Sequence, residues 1–123
     1  MREDRNFYIN GRWVAPIDGC EHLVVNPSTE EVDAVISLGG REDTNSAVAA
    51  ARAAFPEWMN TPPSERISLV ERLKDEYEKR ADELATVISL EMGAPIDMAR
   101  TQQVGTGVSH LQSFINVAKN FQF

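Results

Sequence analysis

A cysteine and a histidine two positions apart could supply a nucleophile and its base, and the chain has one such pair, Cys20 and His22. Positions i and i+2 of a strand point the same way, so a thiolate and an imidazole could meet there if a third group oriented the ring. No such group is evident, and the residues favour a loop cysteine without special function. His110 lies on a helical run beside Leu111 and Phe114, where a packed or surface role is commoner than that of a base. The single cysteine excludes an intramolecular disulfide and a zinc site built from thiolates. Gly39-Gly40 lacks the G-x-G-x-x-G spacing and reads as a turn, not a phosphate loop. Gln102 and Thr106 fall one helical turn apart on one face. Gly105 and Gly107 flank Thr106 and would let the helix approach a neighbour or a ligand closely.

The surrounding chain is of ordinary globular composition: 123 residues, 42% hydrophobic and 25% charged, which argues against disorder. Twelve Lys and Arg against 19 Asp and Glu give a formal charge of −7. That sign argues against nucleic acid or an anionic membrane as partner, because both are bound largely through basic side chains. The charged start, Met1-Arg2-Glu3-Asp4-Arg5, is not followed by an apolar stretch of signal-peptide length. A cytoplasmic location is the expectation.

Period-two segments come first. Phe7 to Val14 is aromatic and β-branched around Asn10-Gly11, the dipeptide of type I′ hairpins. His22 to Val25 reads as a strand, Asn26-Pro27-Ser28-Thr29 as a turn, and Glu31 to Ser37 as an alternating, half-buried strand. Gly39-Gly40 ends it.

Helical spacing follows. Glu42 and Asp43 open a first helix carrying Ala47, Val48, Ala51, Ala54 and Phe55, with Pro56 just past its end. Thr61-Pro62-Pro63 supplies a hydroxyl cap and a first-turn proline for a second. Its stripe is Ile67, Val70, Leu73 and Tyr77, with Glu71, Arg72, Lys74 and Glu78 on the wet side. The third carries Leu84, Val87, Ile88 and Glu91-Met92 and stops at Gly93 and Pro95. The last runs from about Asp97 to Lys119, although Val104-Gly105-Thr106-Gly107 is poor helix material. The expected fold class is α+β, a β-ribbon over about 7–37 followed by four helices over about 41–119. The apolar faces exceed what the ribbon can cover, and Asn120-Phe121-Gln122-Phe123 lacks a polar tail. The chain is therefore expected to continue into a missing partner.

These segments resemble the opening of aldehyde dehydrogenases. Ile9-Asn10-Gly11-Arg12-Trp13 matches that family's "INGxW" strand, and Asn26-Pro27-Ser28-Thr29-Glu30-Glu31-Val32 its "NPxTGEV" turn. Glu42-Asp43 with Ala47 to Phe55 and Trp58 looks like its first helix, Ser64-Glu65-Arg66 with Leu69 to Leu73 its second, and Glu91-Met92-Gly93-Ala94-Pro95 its "E-x-G-K-P" segment. Glu30 stands where the family usually has Gly, and Ala94 where it has Lys.

The resemblance covers nearly all of this chain and only the first portion of the family's length. It implies that residues 1–123 are the N-terminal part of the cofactor-binding domain of an α/β enzyme, a cytoplasmic oligomer oxidising a small aldehyde to a carboxylic acid with NAD or NADP. A Cys thiolate would attack the carbonyl, hydride would leave to the nicotinamide, and a Glu-activated water would hydrolyse the thioester. The family's nucleophile motif "GQxC", base motif "ELGGK" and anchor motif "PWNFP" do not occur here. The chain alone is therefore expected to lack catalytic residues and to bind no cofactor. The resemblance also assigns Gln102 and Thr106 to the wall of the substrate tunnel. It assigns the carboxylate of Glu91 and the backbone oxygens of Val24 and Val25 to a monovalent-cation site, against a plain helix-end carboxylate. The expected partner is the remainder of the dehydrogenase chain or a homologous subunit. The alternative is a short interaction module, derived from the family, that has lost catalysis.

Overall fold

Asn10 and Gly11 carry positive φ, 53° and 74°, the paired left-handed conformations of a two-residue type I′ turn. They join β2 (Phe7–Ile9) to β3 (Arg12–Val14), antiparallel, with Tyr8 opposite Trp13. The two rings meet edge to face with centroids 5.3 Å apart, the arrangement that aromatic quadrupoles favour. In the computed structural model, which describes residues 2–122, this hairpin belongs to the first of two compact units, Met1–Asn60; the second is Thr61–Phe123.

The other extended segments of the first unit form a separate sheet. The strands β4 (Cys20–Val25) and β5 (Val32–Leu38) are antiparallel, and β1 (Arg2–Asp4) joins β5 in parallel, giving the order β1-β5-β4. The period-two pattern predicts one ribbon from about residue 7, and β1 lies outside it. Arg2-Glu3-Asp4 has no apolar alternation to read, and the strand exists because its backbone pairs with β5. An ion pair between Arg5 and Glu21 ties the following residue to β4. Ala34 and Val35, on opposite faces of β5, are both buried. The middle strand thus loses the simple alternation expected of it.

Helix α1 (Arg41–Asn60) follows Gly40 directly. Pro56 lies inside it, not past its end. Proline removes one backbone donor and crowds the preceding turn, but Glu57 to Asn60 stay helical, and the Asn60 side chain donates to the Pro56 carbonyl at 2.8 Å. Residues 51–60 are exposed throughout.

In the second unit, α2 (Pro63–Lys79) begins without a side-chain cap. Thr61 was expected to cap it, but Pro62 takes that position, with φ −54° and ψ 142°. A residue before proline is driven to extended ψ, so the helix starts one step later, and the Pro62 carbonyl receives the Glu65 and Arg66 amides at 3.0 and 3.2 Å. The stripe is also displaced. Leu73 is 56% exposed, whereas Glu71 and Lys74 are half-buried. The reason is that Glu71 faces the next layer and pairs with Lys119 at 2.6 Å. Helix α3 (Ala81–Met92) ends as its sequence required, with Gly93 at φ 75° and its amide bonded to the Ser89 carbonyl at 3.0 Å.

The last helical run has three parts: a turn, α4 (Ile96–Met98), a π-helical turn over Ala99–Gln103, and α5 (Val104–Asn120). The Val104 amide reaches back five residues to the Ala99 carbonyl, the widened hydrogen bond that defines a π turn. A small-residue core of Ala85, Ala94, Ala99 and Val104 joins these parts to α3, with Tyr77, Leu84 and Ile88 packed around it.

Candidate functional site

The inward positions of α5 follow from burial: Val104 and Ile115 are buried, and Val108, Leu111 and Ala118 are half-buried. At 100° per residue these lie within one sector, and Thr106, Ser109 and Ser113 point the opposite way. All three are exposed, as is Gln102 in the π turn. The two residues assigned to a substrate wall thus stand together on the outward face. The Thr106 hydroxyl donates to the Gln102 backbone carbonyl at 2.7 Å. Its hydrogen is engaged, so toward a ligand it offers lone pairs, and the Gln102 side chain offers an amide donor and an acceptor. This face can orient a polar group; it holds neither a nucleophile nor a base.

Two features that the sequence did not reveal hold this face. Arg100, inside the π turn, donates through Nε to Asp82 of α3 at 2.8 Å and lies 3.4 Å from Asp97. The hydrogen bond to Asp82, and then the charges of Asp82 and Asp97, raise the guanidinium pKa further above its ordinary value. Further along, Gly107 sits under the ring of Tyr77: a β-carbon at Gly107 would lie 2.6 Å from Tyr77 Cζ. The two glycines around Thr106 therefore differ. Gly107 is packing glycine, whereas a β-carbon on Gly105 would meet nothing within 4 Å.

The remaining candidates fall elsewhere. Val24 and Val25 lie on β4, an edge strand, at a bulge where Val24 pairs with Ala34 and Val25 with Val32, leaving Asp33 as the extra residue. Glu91 occupies the last turn of α3 in the second unit and is exposed. Among the described residues no three His, Cys, Asp or Glu side chains gather where a metal could be held. Cys20 and His22 are both exposed on one face of β4, paired with Leu38 and Ile36 of β5. His110 is exposed on α5.

The N-terminus of α1 is not open to a phosphate. The buried Asp43 carboxylate accepts from the Gly40 amide at 2.9 Å and from the Ile17 amide at 2.8 Å. Those two bonds, the Ile17 one foremost, hold its pKa below the usual 3.8. A fixed anion already takes the amide donor at this helix start and would repel a second one, so these residues do not fit an NAD(P) phosphate.

Comparison with known proteins places this geometry. The model of the aldehyde dehydrogenase family matches residues 13–123. A 3-succinoylsemialdehyde-pyridine dehydrogenase of a Pseudomonas species is 39% identical over the whole of this chain, which covers 26% of that protein. The crystal structure of an aldehyde dehydrogenase from Bartonella henselae superposes with TM-score 0.98 at 49% identity, over 100% of this chain and 26% of that one. Aldehyde dehydrogenase C (AldC) of Pseudomonas syringae, a cysteine mutant solved with NAD+ and octanal, gives TM-score 0.94 at 42% identity, over 97% of this chain and 24% of its own. The chain spans about a quarter of the length of these relatives, and the matched part is their N-terminal portion.

Proposed function

The chain belongs to the aldehyde dehydrogenase family, and from that premise we propose that it is the opening part of the cofactor-binding domain of an NAD(P)-dependent enzyme that oxidises an aldehyde to a carboxylic acid. The observation that carries this reading is the pairing of the superposition on the Bartonella henselae enzyme, TM-score 0.98, with the 26% of that chain it covers. The two fit an N-terminal segment whose nucleophile and base would come from residues beyond it.

In this reading the segment contributes a wall and a scaffold, not chemistry. Gln102 and Thr106 would line the path of the aldehyde, Thr106 accepting hydrogen bonds through the lone pairs that its bond to Gln102 leaves free. NAD or NADP, held by other parts of the enzyme, would accept the hydride. Val24, Val25 and Glu91 as monovalent-cation ligands rest on the family resemblance alone. The remainder of the dehydrogenase chain, or a homologous subunit, would cover exposed apolar side chains such as Phe55, Trp58 and Met59 of α1, which are 59%, 45% and 57% exposed. Among the described residues no helix is long and apolar enough to cross a membrane.

The test is to read the genomic locus beyond the codon for Phe123 and express what it encodes. A continued frame with a "GQxC" cysteine and an "ELGGK" glutamate, and a product that reduces NAD or NADP when given an aldehyde, supports the proposal. A stop codon directly after Phe123 removes the enzyme reading for this product and leaves the interaction module.

A further inference from the structure

Gly107 and Tyr77 meet more closely than any side chain at position 107 would allow. A β-carbon there would fall on the Tyr77 hydroxyl oxygen first, and would lie 2.6 Å from Tyr77 Cζ and 3.1 Å from Cε1. The ring cannot simply swing aside, because Tyr77 is half-buried and packs against the core of Ala85, Ala94, Ala99 and Val104. The backbone of α5 therefore rests on the hydroxyl end of the Tyr77 ring, and the length of that side chain sets how far α5 stands from α2. Thr106 precedes Gly107, and the exposed face of Gln102, Thr106, Ser109 and Ser113 is turned away from the buried positions Val104 and Ile115. Any change in the depth of α5 moves that outward face along the same line, in or out. The upstream end is held separately, by Arg100 on Asp82 at 2.8 Å.

We propose that Tyr77 is a positioning residue for aldehyde selection: its ring, seated on the bare backbone of Gly107, fixes how far the Gln102–Thr106 face stands out and so how much room that face leaves for the substrate. The proposal rests on the reading of Gln102 and Thr106 as substrate wall. It adds a sign. Tyr77→Leu shortens the support, α5 settles toward α2, the face withdraws and bulkier aldehydes gain. Gly107→Ala lengthens the support, α5 is lifted, the face advances and bulkier aldehydes lose. Combining them returns α5 toward its original depth, because the shorter Leu leaves room for the added methyl.

The experiment uses AldC of Pseudomonas syringae with its N-terminal portion replaced by residues 1–123, assayed with propanal and octanal. The ratio of octanal to propanal kcat/KM is expected to rise about tenfold in Tyr77→Leu and to fall by a similar factor in Gly107→Ala. The shifts should lie mainly in KM, and the double variant should restore the ratio. A packing role alone would lower activity on both aldehydes together in both variants, and equal losses overturn the proposal. Thr106→Val separates the wall from its support. If it leaves the ratio unchanged, the substrate-wall reading fails. If it shifts the ratio and the Tyr77 and Gly107 variants do not, the wall stands and the positioning role is wrong. Should Gly107→Ala prove insoluble, Tyr77→Phe and Tyr77→Leu form the series, with the ratio rising a little in the first, which loses only the hydroxyl, and further in the second; a ratio unchanged in both overturns the proposal.

Discussion

Asp43 and Ile17 lie 26 positions apart in sequence and are joined by one hydrogen bond, from the Ile17 amide to the Asp43 carboxylate at 2.8 Å. The same carboxylate takes the Gly40 amide at 2.9 Å. One buried side chain thus satisfies an otherwise unpaired donor at the start of α1 and pins the loop between β3 and β4. The family resemblance did not single it out, and the sequence suggested only a first-turn carboxylate suited to the helix dipole.

The pH dependence follows from that geometry. The pKa of Asp43 is lowered from 3.8 in the folded chain, by the Ile17 bond first and the Gly40 bond second. A depressed carboxylate contributes its full stabilisation above its unfolded value and loses it as pH falls through the folded one. Thermal melts followed by circular dichroism should show Asp43→Asn flattening the loss of stability below the ordinary carboxylate value while leaving the fold intact at neutral pH. An acid limb unchanged from wild type would remove Asp43 from this role.

Glu30 occupies φ 60°, a left-handed conformation that costs an ordinary residue roughly 1 kcal/mol and costs glycine nothing. Glu30→Gly should therefore stabilise the first unit by about 0.5 kcal/mol, the strain relieved exceeding the extra freedom of the unfolded chain. Urea titration measures this directly, and a loss of stability would mean that the Glu30 side chain contributes more than its backbone costs.

Pro56 lies in the exposed interior of α1. Proline is about 3 kcal/mol worse than alanine in a helix interior, so Pro56→Ala should raise helical content and stability by about 1 to 3 kcal/mol. The far-ultraviolet circular dichroism signal at the helix minimum is the readout. No gain would show that the last turn of α1 is already frayed in solution.

Gly105 and Gly107 should respond in opposite directions. A β-carbon at Gly105 meets nothing within 4 Å, and one at Gly107 meets the Tyr77 ring. Gly105→Ala should stabilise the second unit by about 0.8 kcal/mol from helix propensity alone. Gly107→Ala should destabilise it by about 1 to 3 kcal/mol through overpacking. Equal effects, measured by denaturant midpoint, would mean that Tyr77 does not bear on α5.

Elements whose reason is local were legible in the sequence. Asn10-Gly11 announces a type I′ turn because asparagine and glycine both take positive φ angles at little cost, and Gly93 announces the end of α3 for the same steric reason. Elements that depend on distant pairing were not. Arg2-Glu3-Asp4 becomes a strand only because β5 lies beside it. The π turn at Ala99–Gln103 has no propensity signal, since it is set by how the Ala99 and Val104 side chains reach the core of α3. Thr61 was a sound cap by composition but lost its position to Pro62, because the following Pro63 forbids a helical residue before it. At the candidate site, Gln102 and Thr106 could be named only through the family resemblance. Nothing in a glutamine and a threonine four residues apart announces a substrate wall, and the Tyr77–Gly107 contact that supports them joins residues 30 positions apart in sequence.

If residues 1–123 supply the opening quarter of a working aldehyde dehydrogenase, as proposed, they should do so inside a relative of known activity. The measurement is aldehyde-dependent NADH formation by AldC of Pseudomonas syringae in which residues 1–123 replace the matching portion. This protein should fold and oxidise octanal at a rate comparable to its parent, while the 123-residue chain alone forms no NADH. A folded replacement that binds NAD+ but forms no NADH, or turnover by the short chain alone, would contradict it.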